Sequence, residues 1–285
     1  MKENKPSATA TLIARSQILL AETQGWAVDA GYLAQYRRFV TENNALQRAF
    51  LKLTEIFAIP GLYLHFALRK KLIESIVQSQ IEKGAVQQVV VIAAGFDPLA
   101  AALHKTYPQI RFYELDHPAT QIIKMDALTD AESNLFFCPA DLTKTALTDA
   151  LAPAWFDANQ PTVFIAEGIT MYLNAKQLDK FFAGIRALSQ HPDSSLIFTY
   201  MARSPLGVIG FDSQTWLARL WLQLQGEPMK WGIEPENIAG FLAARGFKLN
   251  RDHRAADLSA RFMPAGNHLR TAKGENICWA GISNT

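Results

Sequence analysis

Cysteine is scarce in this chain, with two in 285 residues, and that excludes a disulfide-stapled fold. Cys138 and Cys278 are also too far apart in sequence for a C-x-x-C redox or zinc pair. Each lies in an apolar stretch, so buried thiols in a reducing compartment are expected. The six histidines offer no His-x-x-x-His spacing that would suit a metal. An excess of one charge is nearly absent: the formal net charge is +2, and the lysines and arginines form no long run. Nothing therefore argues for a nucleic-acid partner. The longest apolar stretches are broken by charge well short of a membrane span. The opening Met1-Lys2-Glu3-Asn4-Lys5 leads into no signal-type apolar core. A cytoplasmic protein with no membrane partner is the expectation. Internal repeats, low-complexity tracts and obvious linkers are missing too, which suggests one domain over residues 1–285. No feature of the sequence marks an oligomeric state.

What is present is an ordinary globular composition, 49% apolar and 19% charged, arranged in three zones. Residues 8–80 read as helices. Leu12, Ile13, Ile18, Leu19 and Leu20 suggest one amphipathic face, and Tyr32, Leu33, Tyr36, Phe39 and Val40 another. Pro60-Gly61 breaks the pattern, and a longer helix is expected over 62–82. In the middle zone, residues 89–94 form a short continuous apolar run ending at a glycine, as in a strand buried on both faces. Further strands are expected at 110–115, 135–138, 162–166 and 196–200, with helices at 98–106, 118–128 and 175–188 between them. Alternation at this spacing predicts right-handed βαβ units and a doubly wound, mostly parallel sheet. The tail offers helices at 215–224 and 234–245 and late strands at 247–250 and 277–282. The expected layout is a helical N-terminal cap over 1–61, an α/β core over 62–200, and a lid with C-terminal strands over 201–285.

The most informative stretch is Ala93-Ala94-Gly95-Phe96-Asp97-Pro98, which joins the first strand to a helix. Gly95 lets a ligand approach the backbone with no Cβ in the way. Asp97 before Pro98 makes an N-cap and N1 pair, and ligands of such sheets bind at the carboxyl ends of the strands. About twenty residues on, the second strand ends in Glu114-Leu115-Asp116, where an acidic group commonly accepts from ribose hydroxyls. A dinucleotide fingerprint would place glycines at 93, 95 and 98, but the chain has Ala93, Gly95 and Pro98. That loss damages a pyrophosphate site, so the pattern leans towards an adenosine cofactor without phosphates, S-adenosyl-L-methionine. An ordinary tight turn between strand and helix is the competing reading.

Two further carboxylates lie at strand ends. Asp141 reads equally as an N-cap for the following helix or as a neighbour of adenine. Glu167 closes an apolar strand with Gly168 beside it, which favours a ligand-facing role.

The segments 91–97, 113–118, Ala140-Asp141-Leu142 and Ala166-Glu167-Gly168-Ile169-Thr170-Met171-Tyr172-Leu173 occur in that order. Together they resemble the leucine carboxyl methyltransferase-like family of class I S-adenosylmethionine-dependent methyltransferases. The likeness is clearest over 62–188 and weaker through Gly226-Glu227-Pro228 and 242–247. It implies a seven-stranded sheet with the last strand antiparallel and a helical lid. It also implies that Arg69 grips the cofactor carboxylate, since a guanidinium forks onto a carboxylate bidentately. A solvated helix face beside Lys70 and Lys71 is the alternative for Arg69. By the same resemblance Gly95 lies against the methionine part, Asp116 holds the ribose, Asp141 and Leu142 border the adenine, and Glu167 sits near the methionyl end. The chain departs from the family at Ala93, where glycine is usual, and at Pro98-Leu99, where a Thr-Arg or similar pair is common.

Methyl transfer from a sulfonium is an in-line displacement that needs alignment more than acid–base chemistry. A carboxylate acceptor, with a pKa of about 4, is already ionised at pH 7; a hydroxyl would need a base such as Glu167 or a lid histidine. His117 reads as a turn residue. Tyr172, Tyr200 and Arg203 lie just beyond the fourth and fifth strands, where substrate docks or where they simply pack. Trp216, Trp221 and Trp231 either line a lid pocket or pack ordinarily. The expected function is O-methylation of a small-molecule methyl acceptor. The alternatives are methylation of a protein C-terminal carboxyl and a cofactor-binding module without catalysis.

Overall fold

Alternating strands and helices build one seven-stranded sheet in the order β3-β2-β1-β4-β5-β7-β6. The computed structural model describes residues 7–128, 133–204 and 206–283, without the side chains of Leu217, Trp221, Leu222 and Gln225. Three helices come first: α1 (Ala8–Thr23), α2 (Ala30–Phe39) and α3 (Ala45–Phe57). Then α4 (Leu62–Glu82) leads into β1 (Gln88–Ile92), α5 (Leu99–Leu103), β2 (Arg111–Asp116), α6 (Pro118–Ala127), β3 (Leu135–Pro139) and α7 (Leu147–Leu151). The chain returns through β4 (Thr162–Ala166), α8 (Ala175–Ala187) and β5 (Ser195–Met201). It ends with α9 (Trp216–Gln225), α10 (Ile238–Ala243), β6 (Phe247–His253), α11 (Ala255–Phe262) and β7 (Glu275–Ile282).

The five strands β1 to β5 pair in parallel, and β7 enters antiparallel between β5 and β6. Because side chains alternate across a strand, Val89 and Val91 face one core while Val90 and Ile92 face the other. The first core is roofed by α4, α5 and α11, the second by α7, α8 and α10. Both faces of β1 are thus dry, which explains its unbroken apolar run. Cys138 and Cys278 are buried free thiols within the second layer.

Some boundaries differ from the sequence expectation, for local reasons. The helix after β1 starts at Leu99, one residue late, because Pro98 is its cap; Asp97 still accepts from Leu99 N at 2.8 Å. It also stops early, at Leu103. The segment expected as a helix over 234–245 splits into a 3-10 turn, Pro235–Asn237, and α10. The helix expected to follow Asp141 starts only at Leu147, as the short α7, and α11 was not anticipated; each is too brief to show a clear helical period.

Candidate functional site

The chain runs outward from β1 to β2 and β3, then returns to β4 on the other side of β1. At that reversal the loops after neighbouring strands part and leave a crevice. Here it is a cleft of about 490 Å³, within the roughly 300–1,000 Å³ of small-molecule and cofactor sites. Arg69, Gly95, Asp116, Asp141, Leu142, Glu167 and Tyr172 all line it.

One wall is the β1 loop. Ala93 and Gly95 both adopt left-handed backbone, with φ of +55° and +51°. This curls the loop so that Ala94 N reaches Leu115 O at 2.9 Å and Gly95 N reaches Asp116 Oδ2 at 2.5 Å. The other oxygen of Asp116 accepts from His117 N at 2.6 Å. Burial pushes the Asp116 carboxyl above its ordinary range, and the two N–H donors offset part of that. Each carboxylate oxygen has about two acceptor positions, so one on each remains. A Cβ at position 95 would meet Ala10 Cβ at 3.0 Å, because α1 crosses directly over the loop. His117 caps α6, its Nδ1 accepting from Ala119 N at 3.3 Å.

Against the same loop, through Asp97, lies a cluster of buried charges. Arg69 Nη1 donates to both oxygens of Glu275, at 2.7 and 2.6 Å, and His65 Nε2 is 2.9 Å from Glu275 Oε2. Arg69 Nη2 donates to Glu167 Oε1 at 2.5 Å. Lys70 Nζ contacts the other oxygen of Glu167 and lies 2.6 Å from Asp97 Oδ2. Burial would push Lys70 down, but the Asp97 and Glu167 carboxylates hold it above its ordinary value. Burial likewise works against Glu275, yet the Arg69 guanidinium and His65 bring it down to about 2. Lys124 is fully buried beneath Asp97, donating to its carbonyl at 2.8 Å while paired with Glu114. Burial outweighs that pairing for Glu114, whose carboxyl lies above its ordinary range.

The roof joins the start of α1 to the segment after α9. Ser7 Oγ donates to Glu227 Oε1 at 3.2 Å, and Thr9 Oγ1 donates to the other oxygen of Glu227. Tyr172 stands beneath this strap, its hydroxyl pushed up by burial and by Glu227.

Several expected site residues lie elsewhere. Tyr200 is fully buried in the second core, its hydroxyl donating to Asp252 at 3.0 Å and accepting from Asn276 at 3.1 Å. β5 directs it away from the cleft. Arg203 is exposed on the segment bridged to Ile209, outside the cleft. Asp141 is not a helix cap, because α7 begins at Leu147. It instead closes a tight turn, accepting from Thr143 N at 3.0 Å and Thr143 Oγ1 at 2.6 Å, and the Thr143 hydroxyl lowers its carboxyl. Trp216 is 70% exposed, and Trp231 packs on Tyr200 and Phe241, so neither lines a lid pocket; the Trp221 side chain lies outside the described residues.

Lys70, Glu275, His65 and Lys124 were missed from the sequence. A signal for His65 was available, since it sits four residues from Arg69 on the otherwise apolar face of α4. Glu275 carries no local signal, and its contact with Arg69 spans 206 residues.

A parallel sheet closed by an inserted antiparallel strand, with the cleft at its reversal point, defines the class I methyltransferase architecture. Two solved structures share it. One is a protein of Thermobifida fusca, provisionally named a methyltransferase, with TM-score 0.66, 17% identity, and coverage of 99% of this chain and 97% of that one. The other is a duf574 family protein of Streptomyces avermitilis, with TM-score 0.63, 12% identity, and coverage of 90% and 97%. At such identities the likeness is one of fold. The family described as leucine carboxyl methyltransferase matches residues 17–186, more than half the chain, and the protein belongs to that family.

Among curated relatives, a Bacillus subtilis protein, YktD, is 28% identical over 192 residues, covering 65% of this chain and 60% of its own. A Mycobacteroides abscessus protein is 37% identical over 120 residues, covering 39% and 37%. Both are named, provisionally, S-adenosyl-L-methionine-dependent methyltransferases. The chain spans 60% or less of the length of these two relatives.

Proposed function

We propose that the cleft binds S-adenosyl-L-methionine and that the protein transfers its methyl group to a carboxyl or hydroxyl oxygen of a small metabolite. One observation carries this reading: the same cleft is lined by a carboxylate with spare acceptor positions, Asp116, and by a buried cation–carboxylate cluster, Arg69, Lys70 and Glu167. That is the polarity of a nucleoside joined to a zwitterionic amino acid. The left-handed glycines 95 and 168 leave the backbone bare along the wall between them.

The cofactor supplies a methyl group on a positively charged sulfur. Asp116 would accept from the sugar hydroxyls, Asp141 and Leu142 would border the base, and Arg69 with Lys70 would take the α-carboxylate. Glu167, released from one of its cations, would take the ammonium. The remaining work is alignment. Glu167 is already committed to two cations, which favours an acceptor that arrives ionised and needs no base. The strap from Ser7 and Thr9 to Glu227 narrows the mouth and favours a small acceptor over a protein C-terminus. The two buried free thiols fit a reducing, cytoplasmic setting.

Calorimetry with S-adenosylmethionine and with its demethylated product tests the first step, and both are expected to bind. Labelled methyl transfer to a panel of small carboxylic acids and phenols tests the second, and base-labile product marks an ester. Absence of binding by either nucleoside at millimolar concentration would overturn the assignment. Binding without transfer to any acceptor would leave a non-catalytic cofactor module in its place.

A further inference from the structure

Helix α3 is built inside out. Its inward face is polar. Arg48 forks onto Glu22 at 2.6 and 2.8 Å, and Glu55 accepts from Gly61 N at 2.9 Å and Tyr63 N at 3.3 Å. Leu51 alone is buried among its side chains. Its outward face is apolar. Leu46, Phe50, Leu53 and Phe57 follow one another at intervals of four, three and four, which makes one stripe. All four are more than half exposed, as is Ile56 beside them.

A second helix repeats the arrangement. On α9, Trp216, Leu220 and Leu224 form an exposed stripe, at 70%, 43% and 74%, while Ala218 is buried. The two helices adjoin. Thr215 N donates to Ala58 O at 3.0 Å where α9 begins and α3 ends, and Leu51 and Ala218 enter the same core cluster.

We propose that this double stripe is the interface of a homodimer, each copy presenting α3 and α9 to the other. The first argument is area. At their exposures these eight side chains leave on the order of 1,000 Å² uncovered, against roughly 300–600 Å² for the largest patch on a monomer and about 800 Å² per partner in a stable pair. The second is composition. Permanent homodimer interfaces are the apolar ones, whereas transient interfaces are no more apolar than ordinary surface. The third is charge. A helix that lies on a lipid surface carries a polar face rich in lysine and arginine. Here α3 has only Arg48, already paired, and Lys52, and α9 has only Arg219. A protein surface of the same kind therefore fits better than a bilayer. A straight stripe at helical spacing can also cross its own copy about a two-fold axis, ridge into groove.

Sedimentation velocity of the full chain, with light scattering between about 1 and 100 μM, tests this. The unmodified protein is expected near twice 31.7 kDa. Phe50→Glu with Leu53→Glu is expected to be monomeric with an unchanged far-ultraviolet spectrum, and Leu224→Glu on α9 separately to weaken the dimer at least tenfold. Trp155→Glu, a change at an exposed aromatic whose neighbours Ala154 and Phe156 pack on a different core cluster from α3 and α9, is expected to remain dimeric. The proposal is overturned if the unmodified chain is monomeric at 100 μM, whether or not it floats with anionic vesicles. It is equally overturned if the α3 and α9 variants, folded, sediment as dimers.

Discussion

Arg69 reaches Glu167 across the wall of the cleft, its Nη2 donating to Oε1 at 2.5 Å, while its Nη1 is held from behind by Glu275. The two carboxylates are not equivalent. Glu275 is sealed in the protein, with its side chain 1% exposed, whereas Glu167 borders the cleft at 12%. A buried guanidinium needs a fixed counter-charge or its desolvation is uncompensated. Glu275 supplies it, which leaves the Glu167 contact as the exchangeable one. An incoming carboxylate can then replace Glu167 on Arg69 without leaving a bare buried cation at any stage.

That division gives a pH-dependent test. The Glu275 carboxyl titrates at about 2, against 4.5 for an ordinary glutamate. A carboxyl lowered on folding adds stability that is fully present above its unfolded value and is lost as pH falls through its folded value. Glu275 therefore contributes fully above about pH 4.5 and progressively less down to about pH 2. Near pH 7, Glu275→Gln should cost on the order of 3 kcal/mol, the scale of breaking a buried pair. Urea unfolding of both proteins should show that gap narrowing below pH 4.5; a gap independent of pH would remove Glu275 as the buried counter-charge.

Asp116 holds the β1 loop and also faces the cleft, so its removal should register twice. Asp116→Asn keeps the shape but cannot accept equally from both Gly95 N and His117 N. Affinity for S-adenosylhomocysteine should fall by about 1–3 kcal/mol, as expected for losing hydrogen bonds to a charged acceptor. Calorimetry that finds unchanged affinity in a folded variant would take Asp116 out of the site.

Ala93 departs from the family's glycine, and by volume the change is small. Backbone matters more: φ is +55°, a left-handed conformation that costs an L-residue about 1–2 kcal/mol. Glycine relieves this but gains freedom in the unfolded chain, worth about 0.4–1 kcal/mol the other way. Ala93→Gly should thus raise stability by up to about 1.5 kcal/mol. Thermal unfolding will read this as a higher midpoint, and a lower one would contradict it.

The sheet was legible because each parallel strand is a compact apolar run bounded by a turn, and five such runs fall at βαβ spacing. Gly95, Asp116 and Glu167 could be placed because each lies at or just past the end of a strand, so the topology alone carries them to one edge. Lys70 was not, since a basic residue beside Arg69 and Lys71 reads as a solvated face until α4 is seen to be buried almost all round. Glu275 and Glu227 were beyond reach for another reason. Their partners lie about 200 residues away, and local pattern carries no information about such pairing.

Tyr200 shows the limit of strand-end reasoning. It falls one residue before the end of β5, and side-chain alternation turns it into the second core. Tyr200→Phe removes a donor to Asp252 and an acceptor for Asn276, which should cost about 1–2 kcal/mol of stability. Cofactor affinity and methyl-transfer rate should stay within twofold. A selective loss of turnover with stability intact would return Tyr200 to the site.

Glu227 ties the start of α1 to the segment after α9 through Ser7 and Thr9, and all three line the cleft. The bonds are only part-buried, so they contribute little to the folded state and act mainly on how readily the cleft opens. Glu227→Ala should therefore speed release of S-adenosylhomocysteine by roughly five- to tenfold, equivalent to about 1–1.4 kcal/mol. Its midpoint of thermal unfolding in the absence of ligand should move by only about 1–2 °C, the effect of a few tenths of a kcal/mol in a chain of this size. Stopped-flow displacement gives the release rate directly. Ser7→Ala combined with Thr9→Ala should reproduce the acceleration, because it removes the same contacts from the other side. If the two variants release at different rates, Glu227 acts on the ligand itself and not through the strap.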